Sequence, residues 1–195
     1  MSTYTAISNV NKTLVSLLWN SIKDDSQVNS IVTSEDEISL SSPKGIPQDK
    51  KLSLFLYQIS EFSSMRNIAK PSTDPDKTGH FPVYLALHYL ITPYTQNPES
   101  DHILLGKTIQ VFSDNAILRG SLLQGSLADN NSDLKLLMDS LTIDDLNKLW
   151  SVIGTEYRLS ISYSVAPIPI ELTPKEEAAR VIEDKIKYKL IRSGK

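Results

Sequence analysis

From Val83 to Thr92 both alternating sets of positions are apolar. Val83, Leu85, Leu87, Tyr89 and Ile91 form one set, and Tyr84, Ala86, His88, Leu90 and Thr92 the other. A strand without a polar face belongs near the middle of a covered sheet. Pro93 ends it, because proline has no amide to give to a ladder. A polar turn, Tyr94–Ser100, follows. Glu99, Ser100 and Asp101 suit a helix N-terminus, where free amides and the dipole favour oxygen and negative charge. Leu104, Leu105, Ile109 and Phe112 then recur at helical spacing, which predicts a helix laid back on the sheet.

The rest of the pattern fills in around this unit. Thr3–Lys23 reads as a helix with Ala6, Val10, Leu14, Leu17 and Leu18 as its stripe. Val28, Ile31 and Val32 are expected to fold over the sheet edge, and Glu37–Leu40 to form a short strand. Ser41–Lys51 is a loop with two prolines and a glycine. Leu52–Ile59 is a second strand apolar on both faces, expected to pair antiparallel with Val83–Thr92. Between them Ser60–His80 is long and polar, the kind of connection that carries contacts or ordering. Ser113–Asn131 is a second irregular stretch, pinned down by Ile117, Leu118, Leu122, Leu123 and Leu127. Leu134–Met138 is a candidate strand. Thr142 caps a helix with Asp145 three residues on. Leu146, Leu149, Trp150 and Ile153 are the stripe of that helix, and Gly154 its stop.

Glu156–Val165 alternates cleanly. Tyr157, Leu159, Ile161, Tyr163 and Val165 read as a core face; Arg158, Ser160, Ser162 and Ser164 read as a face open to water, or to a neighbour in an assembly. The prolines of Ala166–Leu172 predict an extended linker. Thr173, Pro174 and Glu176 then open a last helix, with Ala179, Ile182, Ile186 and Leu190 as a narrow seam. The predicted fold is α/β in the broad sense, more strictly α+β. A mixed, mainly antiparallel sheet of four or five strands is flanked by helices. Residues 1–166 form the core domain, and 167–195 a linker and helical arm.

Composition narrows the class. The 195 residues are 40% hydrophobic, enough for one domain with a real core. No run approaches the roughly 18 apolar residues of a membrane helix. Leu14–Trp19 is too short for a signal peptide, so cytoplasmic synthesis is the expectation. Without cysteine, disulfides, thiol catalysis and cysteine-held metals are excluded. The net charge of −3 is uneven: residues 174–195 carry seven Lys/Arg against four Asp/Glu, and the remainder is acidic. An acidic body argues against a nucleic-acid surface.

Chemistry is sparse. His80, His88 and His102 form no metal spacing, and His88, mid-strand among apolar residues, reads as a structural histidine with its bonds satisfied. Ser121 lacks the strand–turn–helix frame of a hydrolase nucleophile. There is no glycine-rich phosphate loop. No catalytic residue, cofactor or metal is expected. A small loop-site enzyme would have only His88, Asp101 and Ser121 to use.

The segments LSLFLY (Leu52–Tyr57), Arg66-Asn67, LHYLITPY (Leu87–Tyr94), LGKTIQV (Leu105–Val111), Leu118-Arg119-Gly120 and YRLSISY (Tyr157–Tyr163) occur in an informative order. Over about residues 5–170 the chain resembles the cap, or tail-terminator, family of phage-tail-like contractile injection systems, of the antifeeding prophage and Photorhabdus virulence cassette type. The resemblance implies a structural protein, not an enzyme. It implies a homohexameric ring that ends the inner tube and sheath at the baseplate-distal end, binding tube and sheath proteins but neither nucleic acid nor membrane. Assembly in the cytoplasm and release with the particle go with it. A tube-to-baseplate adaptor ring of the same particle is the alternative. Expected contact residues are Arg66, Asn67, Arg119, Arg158, Ile182, Ile186 and Leu190. All but Arg158, which stands on the polar face of Glu156–Val165, lie in Ser60–His80, Ser113–Asn131 and Pro167–Lys195.

Overall fold

The computed structural model describes residues 4–65, 82–128 and 133–170. Its centre is a six-stranded sheet built of β1 (Ile38–Ser39), β2 (Leu52–Glu61), β3 (Val83–Pro93), β4 (Ile117–Leu118), β5 (Leu134–Asp139) and β6 (Ile161–Ile170), in the order β1-β2-β3-β6-β5-β4. Only β1 and β2 run parallel; every other pairing is antiparallel, as the sequence predicts for β2 and β3. The sheet has one strand more than the upper expectation of five. The addition is β4, two residues long and too short to leave a periodic signal.

One face of the sheet carries α1 (Ala6–Lys23) and α2 (Pro98–Asp114). In α1, Ala6, Val10, Leu14, Leu18 and Ile22 repeat every fourth position and are at most 1% exposed. They pack in one cluster with Leu87, Tyr89 and Ile91 of β3 and Leu104 and Phe112 of α2. Helix α2 starts at Pro98, with Glu99 and Asp101 in its first turn as expected. Asn97 is its N-cap, accepting from the Glu99 amide at 3.0 Å, and Pro98 occupies the first turn, where a missing amide costs nothing.

The opposite face carries α3 (Ile143–Ile153). Its capping box forms as predicted, and Gly154 stops it at φ +73°. Trp150 and Ile153 meet Leu90, Phe55 and Tyr57, so the second face of β2 and β3 is apolar because a second, smaller core sits there.

Strand β6 departs from expectation at both ends. It begins at Ile161, five residues after Glu156, and runs on through the residues read as a linker as far as Ile170. Tyr157 and Leu159 alternate as strand residues do, yet they are about half exposed and precede the sheet. Pro167 and Pro169 are tolerated for a positional reason. The β3–β6 register slips between Leu85 and Leu87, and β5 pairs no further than Ala166. The prolines thus fall at an irregularity and beyond a neighbour, where a missing donor is affordable. The predicted helix around Ile182–Leu190 lies outside the described residues.

The stretch after β4 packs down, with Leu118, Leu123 and Leu127 buried. Polar bonds fasten it to α1: the Gln124 amide donates to Thr13 Oγ1 at 3.0 Å, and Asn9 Nδ2 to Ser126 Oγ at 3.1 Å. Gly125 sits at φ +59°, and a Cβ there would lie 2.6 Å from Asn9 Oδ1, so only glycine fits.

Candidate functional site

The expected contact residues do not gather. Arg66, Asn67, Ile182, Ile186 and Leu190 lie outside the described residues. Arg119 is exposed in the link after β4, near one edge of the sheet. Arg158 lies just before β6, at the lip of a cavity. His88, Asp101 and Ser121 are also apart: Asp101 binds Thr95, Ser121 lines a small cavity beside α1, and His88 sits in β3.

The serine face of β6 is the clearest correction. It does not meet water: Ser160 is 8% exposed, Ser162 3% and Ser164 8%. The register places Asp139 opposite Ser162, and Ser164 follows on the same face, so this one carboxylate serves both hydroxyls. Asp139 accepts from Ser164 Oγ at 2.8 Å through one carboxylate oxygen. Its other oxygen accepts from Ser162 Oγ at 3.1 Å and from His88 Nδ1 at 3.3 Å. Tyr57 Oη meets Ser162 Oγ at 3.1 Å, and Ser60 Oγ meets His88 Nε2 at 3.1 Å. His88 is therefore a bonded structural histidine, as read from its apolar setting. The order Ser60, His88, Asp139 is that of a hydrolase triad. These groups stand on a pleated sheet face, however, and the cavities described below and beside α1 are lined by other residues. The cluster fits a partly buried polar tie between β2, β3, β5 and β6.

At the other end of the same face the accounting differs. Among the described residues, four buried side-chain polar atoms have no partner: Thr92 Oγ1, Tyr94 Oη, Trp150 Nε1 and Ser160 Oγ. Thr92 and Tyr94 lie where β3 ends, Ser160 where β6 begins, and Trp150 on the helix above. Beside them opens a cavity of about 610 Å³ lined by Pro43, Tyr94, Trp150, Glu156, Tyr157 and Arg158, with Thr155. The Arg158 guanidinium lies 4.7 Å from the centre of the Tyr94 ring, and one of its nitrogens is 3.6 Å from Asp101 Oδ2. Tyr157 meets Trp150 edge-on at 5.9 Å. Burial pushes the Tyr94 phenol up, against the pull of Arg158, so it stays a donor at neutral pH. Arg158 was expected at a contact. Tyr94 and Trp150 were not singled out, because a missing partner leaves no mark in a sequence.

Among the described residues no three or more His, Asp or Glu side chains stand together as metal ligands, and no helix is long and apolar enough to cross a membrane.

Comparison with known proteins adds a lineage. No curated protein matches the chain. Among solved structures it is similar to the sheath/tube terminator of an extracellular contractile injection system, PVC, in the extended state. The two share 20% identity at a TM-score of 0.60, over 97% of this chain and 67% of that one. It is also similar to the anti-feeding prophage cap, a tube-terminating cap, at 20% identity and a TM-score of 0.55, over 96% of this chain and 62% of that one. The chain thus spans about two thirds of the length of either. Residues 9–184 match a family defined as the Pvc16 N-terminal domain, and by that match over most of its length the chain belongs to this family.

Proposed function

We propose that the protein is a structural cap, or tail terminator, of a contractile injection system. The observation that carries this reading is the family match over residues 9–184, joined to a fold shared with two tube-terminating proteins. The sheet, helices and satisfied polar cluster build a rigid body, and the chemistry is that of packing and not of turnover.

The mechanism follows from assembly geometry. Six copies close into a ring through one heterologous contact repeated around the axis. One ring face matches the last ring of the inner tube, and the other offers no copy of that surface, so growth stops. The sheath is held to the same ring. Arg119 and the links around Arg66 and Asn67 face the tube or a neighbouring copy. The segment after Ile170, with Ile182, Ile186 and Leu190 as its apolar seam, serves as the arm towards the sheath or an adjacent protomer. Assembly takes place in the cytoplasm, and the cap leaves with the particle.

Electron microscopy of particles assembled without the protein tests this. Tubes and sheaths of scattered length with frayed distal ends are expected. Uniform length with intact tips would overturn the reading. Deleting residues 174–195 is expected to leave a folded protein that caps poorly; a truncated chain that unfolds would return the arm to the core.

A further inference from the structure

We propose that in the free subunit this chain's own basic segment, residues 174–195, lies back along the β1 end of the sheet, with Ile186 and Leu190 in the groove between β1 and α1. The groove and its occupant do not rest on the cap reading. The consequence does: the arm must leave the groove before it can reach a sheath subunit or a neighbouring copy.

The two ends of the sheet are guarded differently. Each ends in a strand of two residues, β1 or β4, with a large apolar side chain exposed in or next to it: Leu40 at 44% and Ile117 at 48%. Open sheet edges invite further pairing, and proteins blunt them with cations or cover them with a helix. The β4 end carries cations: Lys135 stands opposite Ile117, Arg119 follows β4, and both are exposed. At the β1 end the exposed charges just before the strand are acids, Glu35 and Asp36. Between β1 and α1 lies a groove of about 380 Å³. Its apolar lining is Val15, Ile38 and Leu40, and its charged lining is Glu35 and Asp36 against one lysine, Lys12. That volume is within the range of about 300–1,000 Å³ usual for binding sites. Such an edge calls for a cover with an apolar seam and cations beside it.

The end of this chain has that composition. Residues 185–195 carry five Lys/Arg and no acid, and Ile186 and Leu190 are four apart, as on one face of a helix. Charge selects the end of the sheet: Arg119 and Lys135 repel this segment at β4, whereas Glu35 and Asp36 attract it at β1. Tethering selects this chain over a second copy, because a segment joined to β6 is present at an effective concentration of the order of mM. The reach suffices. Ile170 lies opposite Val83, and Leu52, the partner of Ile38, lies opposite Pro93, so the groove is ten residues along β3 and three strands across from the end of β6. On a flat sheet that is roughly 36 Å. Of the sixteen residues from Ile170 to Ile186, about seven extended and nine helical cover it, so the docked helix starts later than the box at Thr173 suggests.

The test uses the full-length chain, which has no cysteine, so introduced thiols are the only ones present. Leu40→Cys with Ile186→Cys is compared with two controls under mild oxidation: Ile117→Cys with Ile186→Cys, at the other end of the sheet, and Leu40→Cys with Tyr188→Cys, off the seam. Leu40 and Ile117 are exposed, so their replacement leaves the core intact. At about 1 µM protein a tethered segment outcompetes a second copy roughly a thousandfold, so the Leu40–Ile186 pair is expected to close within one chain. Non-reducing gels and intact mass read this, and closing is expected to be several-fold faster than in either control. Glu35→Lys with Asp36→Lys is expected to slow it several-fold at low salt and less at high salt. No closing, or closing as fast in either control, would overturn the docking. A disulfide between two chains would overturn the choice of this chain's own segment, and indifference to the charge reversal would overturn the part given to Glu35 and Asp36. Particle length enters none of these measurements, so the groove and the cap reading fail separately.

Discussion

Around Asp139 the buried hydroxyls of β6 have partners; around Trp150 the buried polar atoms have none. Both clusters lie on the face of the sheet that carries α3, with the small core of Leu90, Phe55 and Tyr57 between them. Their residue types overlap: a tyrosine and a serine stand in each. The difference is the presence of a fixed acceptor. Asp139 gathers Ser162, Ser164 and His88 from two neighbouring strands, and such a network gives the sheet one register. The Tyr94–Trp150 end holds three hydroxyls and an indole nitrogen, none of them bonded, beside a cavity. A satisfied cluster supports the fold, whereas an unsatisfied one leaves its polar groups uncompensated and weakens it.

The strongest way to break this contrast is to remove the hub. Asp139→Ala is expected to lower stability by about 2–4 kcal/mol, since orphaned buried groups cost about 1–3 kcal/mol each and water recovers part. For a chain of this size that is a fall in Tm of roughly 5–15 °C by calorimetry. A change below about 0.5 kcal/mol would mean that the cluster is solvated and does not tie the strands.

Elements whose signal is local were legible in the sequence. The stripes of α1 and α3, the box at Thr142 and the two-faced apolar strands β2 and β3 need only neighbours within a few positions. The start of β6 was misplaced because alternation says which residues are apolar and not which are paired, and Tyr157 and Leu159 keep the rhythm outside the sheet. Its end was misplaced because Pro167 and Pro169 break a strand only where a ladder partner waits for the amide. The serine face was read as wet because the partners of Ser162, Asp139 and Tyr57, are 23 and 105 residues away. Arg158 was singled out only through its place in a recognisable segment. Tyr94 and Trp150 were not found, since an unpaired atom is defined by what the rest of the fold fails to put beside it.

A matched pair of deletions sharpens the comparison at a smaller scale. Tyr57→Phe and Tyr94→Phe each remove one phenolic oxygen from a partly buried ring. Tyr57 Oη is bonded to Ser162, so its loss is expected to cost about 1 kcal/mol. Tyr94 Oη has no partner, so its loss is expected to leave stability within about 0.5 kcal/mol of the parent, or to raise it. Urea titration of the two variants side by side measures this. Equal losses would erase the distinction between the two clusters.

The smallest effect concerns polar groups that are satisfied but lie at the surface. Asp145 accepts from the Thr142 hydroxyl at 2.6 Å and the Thr142 amide at 3.2 Å, and these bonds hold its carboxyl below the usual aspartate value. Lys107, at 2.9 Å, and the Val28 amide do the same for Asp25. A carboxyl whose pKa is lower folded than unfolded stabilises fully above the unfolded value, about 3.9, and loses that contribution as pH falls through the folded value. Tm is therefore expected to be level from neutral pH down to about 5 and to decline below about 4. Asp25→Asn with Asp145→Asn should make that acid decline shallower while shifting the neutral-pH Tm far less than Asp139→Ala. If the doubly substituted protein kept the parent's acid slope, these two surface carboxyls would be energetically silent. The value of a satisfied carboxylate in this fold would then depend on the burial of the groups it binds, as Ser162 and Ser164 at Asp139, and not on hydrogen bonds alone.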